Sequence, residues 1–530
     1  MSSDEYHPPT PPPPPPPEKK VETPRKGGSD SVLRMRRTKS VTRAEEIQYE
    51  EKKLREQQPD HPCHKPRDSL FSWSSGFENF SGFVNWAFLL LLIGGVRLML
   101  ENLLKYGVRV DPRQWWIILM QSADNPSSTG LPSLCLILAS NCQILFTLVN
   151  EKLMASYFLS ERVGLILNIS SLFTFLLVPI VAINFVIPGD FSMMGGTWVC
   201  FVYCTTFFKL TSFCHVNYWC RLDRSCKSSR KRRRSLSHHK DLGSPRSSTD
   251  FFGGIKSEAT PTPKETTDNP FVEKQVHYPD NLKVSSLYYF IFAPTLCYEL
   301  NFPRTSRIRK RFLVRRIIEV VLGGNLLFCL IQQWIVPSVK NSLIPFSKMD
   351  ELKTGERLLK LAIPNHLLWL VWFYLFFHSW LNMLGELLQF ADRDYYGDWW
   401  NADNLTYFWR TWNLPAHRWA IRHLYGPLCK RGFKRFSSSV AVFFVSAFFH
   451  EYLVSVPLRL FKVWAFTGMM FQIPLSWCTD FVRDNFGARW ANVMVWSSLI
   501  LGQPLCIMMY FHDFVIEHYG PSLLEEFTIL

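Results

Sequence analysis

The chain has 530 residues, of which 47% are hydrophobic, 15% aromatic and only 19% charged, and it carries a formal charge of +15. Charge this sparse argues against a water-soluble multidomain protein, in which about a quarter of residues are charged. The cations cluster beside apolar runs, which points to anionic lipid and orientation in a membrane rather than to nucleic acid.

Residues 1–68 hold almost no apolar run. Pro8 to Pro17 is a proline tract broken by Thr10, which favours extended polyproline II, and Arg34, Arg36, Arg37 and Lys39 follow. This leader is expected to be disordered and cytosolic, and is a candidate oligomerisation segment. Thr42 to Gln57 reads as an exposed helix, with Thr42 and Glu45 at capping-box spacing. Apolar stretches long enough to cross about 30 Å of hydrocarbon follow at 83–101, 132–151, 163–187 and 195–214, giving an N-terminal membrane region over 69–220.

A polar insert occupies 221–283, beginning with Lys227 and Arg230 to Arg234 and continuing Ser/Thr/Pro-rich. Four spans between two basic segments place both on the cytosolic side. The apolar stretch Leu287 to Tyr298 is short, contains Pro294 and precedes a run of arginines. It is expected to re-enter or lie in the interface. The catalytic membrane core is placed at 284–520, with further spans at 312–337, 360–390, 438–460, 462–478 and 490–516. The count is about nine, with the N-terminus and the 391–437 loop cytosolic and the C-terminus lumenal. The thirteen cysteines include no CxxC pair, and Cys135, Cys200, Cys329, Cys478 and Cys506 fall in apolar runs, where buried free thiols are expected.

The 391–437 loop carries five tryptophans within about twenty residues, interleaved with Asp, Asn, His and Arg. An aromatic belt at the membrane surface and walls for an elongated amphiphile both suit this pattern. Arg410, Arg418 and Arg422 are candidates to meet phosphates, and 417–424 alternates as a short amphipathic helix. The sharpest chemical signal is His450-Glu451, two ionisable residues halfway along an apolar run. A histidine remains neutral there at modest cost and can act as a general base, whereas the glutamate needs a partner that the sequence does not name.

Tyr395-Tyr396-Gly397-Asp398-Trp399-Trp400-Asn401 resembles the FYxDWWN motif of the membrane-bound O-acyltransferase family, with Tyr395 in place of Phe. The stretches 292–303, 446–459 and 464–470 are similar to the branch of that family that acylates diacylglycerol. The resemblance implies an all-α integral membrane bundle in the endoplasmic reticulum, a homodimer or homotetramer. It implies acyl-CoA as co-substrate, diacylglycerol as acceptor, and neither a metal nor a permanently bound cofactor. It makes His450 the catalytic histidine and Asn413 the polar group near the thioester. Substrate contacts are implied at Tyr395, Tyr396, Asp398, Trp399, Trp400, Asn401, Arg410, Trp412, His417, Tyr425, Arg435, Glu451, Gln472 and Gln503; Arg410 stands where a glutamine is expected. Sterol or wax-alcohol acyl transfer is the alternative chemistry. A lipid transporter or scramblase is the alternative class, and would require matched broken helices in two halves.

Overall fold

A computed structural model describes His64, residues 67–70, Ser72 and Asn79, then 81–240 and 275–520 except for 93–94, 114, 116–130 and 188. The proline tract, the 42–57 helix and the Ser/Thr-rich part of the insert at 241–274 lie outside the described residues. Every described residue belongs to one compact unit.

Helices account for the regular structure of the described residues, joined by two isolated bridges, Arg67 with Asp392 and Arg304 with Phe390. Hydrocarbon leaves a spanning backbone no solvent to bond, so each apolar run closes its hydrogen bonds internally as a helix. In chain order these are α1 (Ser81–Leu92), α2 (Gly95–Tyr106), α3 (Leu131–Ala155), α4 (Glu161–Val181), α5 (Met193–Lys240), α6 (Val284–Phe292), α7 (Lys310–Leu330) and α8 (Glu351–Phe373). α8 continues through a π-turn at Tyr374–Trp380 into Leu381–Leu387. The loop that follows carries α9 (Leu405–Thr411) and α10 (Leu414–Ala420), and the chain ends with α11 (Arg435–Leu458), α12 (Trp464–Phe486) and α13 (Ala488–Tyr519).

Six helices are long and apolar enough to cross a membrane: Leu131–Ala155, Glu161–Val186, Met193–Cys226, Glu351–Leu387, Arg435–Leu458 and Ala488–His518. They coincide with six of the expected spans, although Met193–Cys226 and Glu351–Leu387 extend well beyond the apolar windows. The other three expected spans correspond to α1 with α2, to α7 and to α12. α7 carries Arg315, Arg316 and Glu319, and α12 carries Asp480, Arg483 and Asp484, charges that lower the apolar content of those helices. The thiols of the described cysteines are free, but of the five expected to be buried only Cys200 is: Cys329 and Cys506 are half-buried, and Cys135 and Cys478 are exposed.

The short stretch at 287–298 folds as the nine-residue α6, which stops before Pro294. Its open C-terminal carbonyls are met from α5, where the buried Lys209 Nζ donates to Phe290 O (2.9 Å), Ile291 O (2.8 Å) and Ala293 O (2.7 Å). A lysine in an apolar helix thus replaces the missing next turn of its neighbour.

Candidate active site

His450 lies on α11, which packs Phe449, Tyr452 and Val456 against Leu176, Ile183, Cys200 and Cys204 of the early spans. The imidazole is on another face of the same helix and is accessible. Its Nδ1 lies 2.7 Å from the carbonyl of Ser446, one turn earlier. A carbonyl only accepts, so Nδ1 carries the hydrogen and Nε2 of the neutral ring holds the lone pair. No other described side chain bonds Nε2. The helix backbone therefore fixes both the ring orientation and the tautomer needed for a base.

Glu451 has the partners that its position demands. Its carboxylate accepts from Ser455 Oγ, from the backbone N–H of Val463 (3.0 Å) and of Phe466 (3.0 Å), and from Tyr510 Oη (2.8 Å). The first is on α11, the next two are at the α11–α12 turn and the open N-terminus of α12, and the last is on α13. A negative charge there meets otherwise unpaired amides at the positive end of α12. The turn it holds is tight, with Arg459 at φ 54° and Val463 at φ 57°, left-handed conformations that Val in particular adopts at a cost. Glu451 thus clasps three helices one residue from His450.

Helix lengths place other polar groups near the same level along the bundle. α11 and α12 are antiparallel neighbours, and His450 and Gln472 each lie about eight residues, or ~12 Å, from the turn between them. Gln472 and Gln503 each lie about fifteen residues, or ~22 Å, from the α12–α13 junction. Asn365 of α8 reaches the same layer, its Nδ2 donating to Gln503 Oε1 at 3.4 Å. Gln472 Oε1 is buried without a partner among the described residues.

The aromatic loop is built differently from a surface belt. Tyr395, Tyr396, Trp399 and Trp400 are each no more than 1% exposed, in a core with Trp86, Phe373, Phe408 and Trp496. Tyr395 Oη donates to Leu381 O (3.2 Å), and Tyr396 Oη meets His378 Nδ1 (2.8 Å). Asp398 accepts from Tyr407 Oη (2.5 Å) and from Asn401 Nδ2 (3.3 Å). Asn401 in turn accepts from Gly82 N–H (2.7 Å) and donates to Asn79 O (2.9 Å), while Trp400 Nε1 donates to Asn79 O (3.2 Å). α1 approaches so closely that a Cβ on Gly82 would lie 1.6 Å from the Trp400 carbonyl oxygen. The motif residues hold the loop to α1 and α13 rather than lining an open groove.

Two backbone bonds fold the loop back on itself, Gly397 N–H to Thr411 O (2.7 Å) and Leu414 N–H to Tyr395 O (3.0 Å). They bring Asn413 beside the buried motif, where it caps α10 by accepting from Ala416 N–H at 3.2 Å. That use of Oδ1 turns the amide NH2 of Asn413 away from the helix as a donor. Trp412 stacks on Trp369 and Phe408. His417 is half-buried, and burial together with Arg410 and Arg418 holds its imidazole below the usual range, hence neutral at pH 7. Of the three arginines considered for phosphate, Arg418 is bound to Asp392 and Asp394, and Arg422 donates to Tyr298 O at 2.7 Å. Arg410 and Arg435 are exposed, and Tyr425 is half-buried. The amphipathic stretch is helical, and α10 docks by Trp419, whose Nε1 donates to Phe208 O on α5 at 2.9 Å. Phe208 also touches Phe449, so α10 and the turn bearing His450 share a neighbour.

Several structural partners escaped the sequence reading: Lys209, Tyr510, and His64 and Arg67 within the leader. Lys209 in an apolar run was a visible signal; the others lie far from their partners in the chain.

A helical bundle with six helices long and apolar enough to cross a membrane, and with a histidine partway along one of them, defines an integral membrane protein. The chain belongs to the membrane-bound O-acyltransferase family, whose pattern it matches over residues 140–512. It is 45% identical to diacylglycerol O-acyltransferase 1 of Bos taurus over 458 residues, covering 86% of each chain. It is also 45% identical to that of Homo sapiens, covering 87% of this chain and 86% of the relative. Identity to diacylglycerol O-acyltransferase 1 of Arabidopsis thaliana is 35%, over 86% of this chain and 78% of that one.

Proposed function

We propose that this enzyme is an acyl-CoA:diacylglycerol O-acyltransferase that makes triacylglycerol, with His450 as the general base. Its family and relatives support the reaction. The observation that carries the role of His450 is the Nδ1–H bond to Ser446 O at 2.7 Å, which reserves Nε2 for substrate. Nε2 takes the proton of the acceptor hydroxyl as that oxygen attacks the thioester carbonyl. The Asn413 NH2 donates to the oxyanion that develops, and coenzyme A leaves as the thiol after collecting a proton. Gln472 and Gln503 orient polar parts of the substrates in the layer beside His450. Arg410, His417, Tyr425 and Arg435 receive coenzyme A at the cytosolic face. The motif residues Tyr395, Tyr396, Asp398, Trp399, Trp400 and Asn401 act from within the core by holding Trp412 and Asn413 in place.

The same reading places the protein in the endoplasmic reticulum membrane as a homodimer or homotetramer. α1 with α2, α7 and α12 join the six long apolar helices to give nine crossings, an N-terminus in the cytosol and a C-terminus in the lumen.

The test is release of coenzyme A by purified protein in nanodiscs supplied with oleoyl-CoA and diacylglycerol, cholesterol, a fatty alcohol, or no acceptor. Release is expected to need diacylglycerol and to fall by about 10²–10⁴-fold in folded His450→Ala. Release that depends on cholesterol or the alcohol instead would retain the mechanism and replace the acceptor. Equal activity in folded His450→Ala would refute the base.

A further inference from the structure

At Arg67, in the segment ahead of α1, the backbone pairs in parallel with the start of the loop that carries the motif. Arg67 N–H donates to Ala391 O (3.3 Å), and Arg393 N–H donates to Arg67 O (2.8 Å). At the head of this segment His64, 3% exposed, is enclosed by groups from three parts of the chain. Its Nε2 lies 2.7 Å from Cys297 O, with Thr295 Oγ1 also at 3.2 Å, and its Nδ1 lies 3.2 Å from Asp392 Oδ2. Its backbone N–H donates to the buried Glu299.

A carbonyl only accepts, so Nε2 of His64 must carry a hydrogen. Two guanidinium groups other than the His64 ring hold the Asp392 carboxylate, Arg67 Nε at 3.4 Å from Oδ1 and Arg418 Nη1 at 3.2 Å from Oδ2, and an ion-paired carboxyl keeps its charge in spite of burial. Asp392 is therefore an ionised acceptor, and Nδ1 must carry a hydrogen too. With both nitrogens donating, the ring is an imidazolium.

The cation has a specific use. Asp392 and Asp394 are each also bound by Arg67 from the same segment and by Arg418 from α10. Among the described residues, the cations His64, Arg67 and Arg418 thus meet Asp392 and Asp394, while Glu299 holds the His64 backbone N–H. Removing the His64 proton leaves Asp392 a donor short and sets the ring lone pair against a carboxylate, which is costly at this burial. Arg418 is in the helix capped by Asn413, so a shift of Asp392 is transmitted to that helix.

We propose that His64 is a positioning residue for acyl transfer, a protonated latch that joins the N-terminal segment to α10 through Asp392 and Arg418 and opens when its proton is lost. The proposal rests on the acyltransferase reading for its link to activity, but the latch itself has a readout in stability.

Wild type, His64→Gln and His64→Lys would be compared from about pH 6 to about pH 9.5, a range that spans imidazole titration and leaves lysine charged over most of it. Melting temperature and coenzyme A release with oleoyl-CoA and diacylglycerol would both be measured. The imidazolium is needed in the folded state, so its contribution is complete at the acid end and is lost as pH rises. Wild type is expected to lose melting temperature and kcat on the alkaline side, and His64→Lys to retain both there. His64→Gln should lie low at every pH, with kcat reduced by up to about a hundredfold from misplacement of α10. Coincident alkaline profiles for wild type and His64→Lys would overturn the latch, as would a His64→Gln variant equal to wild type at the acid end. If His64→Gln does not fold, the comparison of wild type with His64→Lys still decides. A wild type that melts as described but releases no coenzyme A with any acceptor would refute the acyltransferase reading and leave the latch standing.

Discussion

Replacing Glu451 by glutamine removes a charge while keeping the shape of the side chain, and four named donors set the consequence. Each carboxylate oxygen takes one backbone N–H and one hydroxyl: Val463 and Ser455 on Oε1, Phe466 and Tyr510 on Oε2. A glutamine oxygen can serve either pair, but its NH2 then faces the other. The hydroxyl of that pair can rotate to accept; the backbone N–H cannot, and is left unbonded. One unsatisfied amide costs about 1–3 kcal/mol. Glu451→Ala strands both amides and both hydroxyls and should cost more, about 2–6 kcal/mol for the two amides alone. Thermal unfolding of wild type, Gln and Ala variants in nanodiscs should therefore show a graded loss, with coenzyme A release falling in the same order as the α11–α12 turn loosens and His450 moves. An alanine variant that melts with wild type would refute the clasp. A glutamine variant worse than alanine would refute the counting of donors.

Asn413 has two separable duties, and two substitutions divide them. Asn413→Asp keeps an oxygen to cap α10, where loss of a cap costs about 0.5–2 kcal/mol, but deletes the NH2 donor. It should melt near wild type and lose about 10²–10³-fold in kcat; a variant that is both stable and active would remove Asn413 from the oxyanion role. Asp392 is held below the ordinary carboxylate value of about 3.9, so its stabilisation is present above that value and is lost as pH falls through the lower folded one. Asp392→Asn should flatten the acid limb of a melting-temperature profile below about pH 4; an unchanged limb would assign that acid sensitivity to other carboxylates. Gly82→Ala should destabilise the protein severely, since its Cβ would overlap the Trp400 carbonyl, and an unaffected melting temperature would refute that close approach.

The amino-acid sequence alone determined the membrane character, six of the spans and the short interrupted stretch before Pro294, and it marked His450 as an ionisable residue within an apolar run. Each depends on neighbours in the chain: an apolar run must close its own hydrogen bonds as a helix, and an ionisable residue within one stands out against it. The sequence likewise marked the tryptophan-rich motif, but its alternation with polar residues suited both a surface belt and a binding wall. Tertiary structure decided that Trp399 and Trp400 are core, because their burial depends on α1 and α13, and Trp496 of α13 lies about a hundred residues away. It also decided what Glu451 does, since its donors arrive from the start of α12 and from Tyr510 on α13. The boundary drawn at 68 fell inside a docked segment for the same reason: His64 and Arg67 are an unremarkable pair of cations until folding brings Asp392, Asp394 and Glu299 around them. Charges buried by distant partners leave no local periodicity to read, and only the packed chain shows that their cost is met.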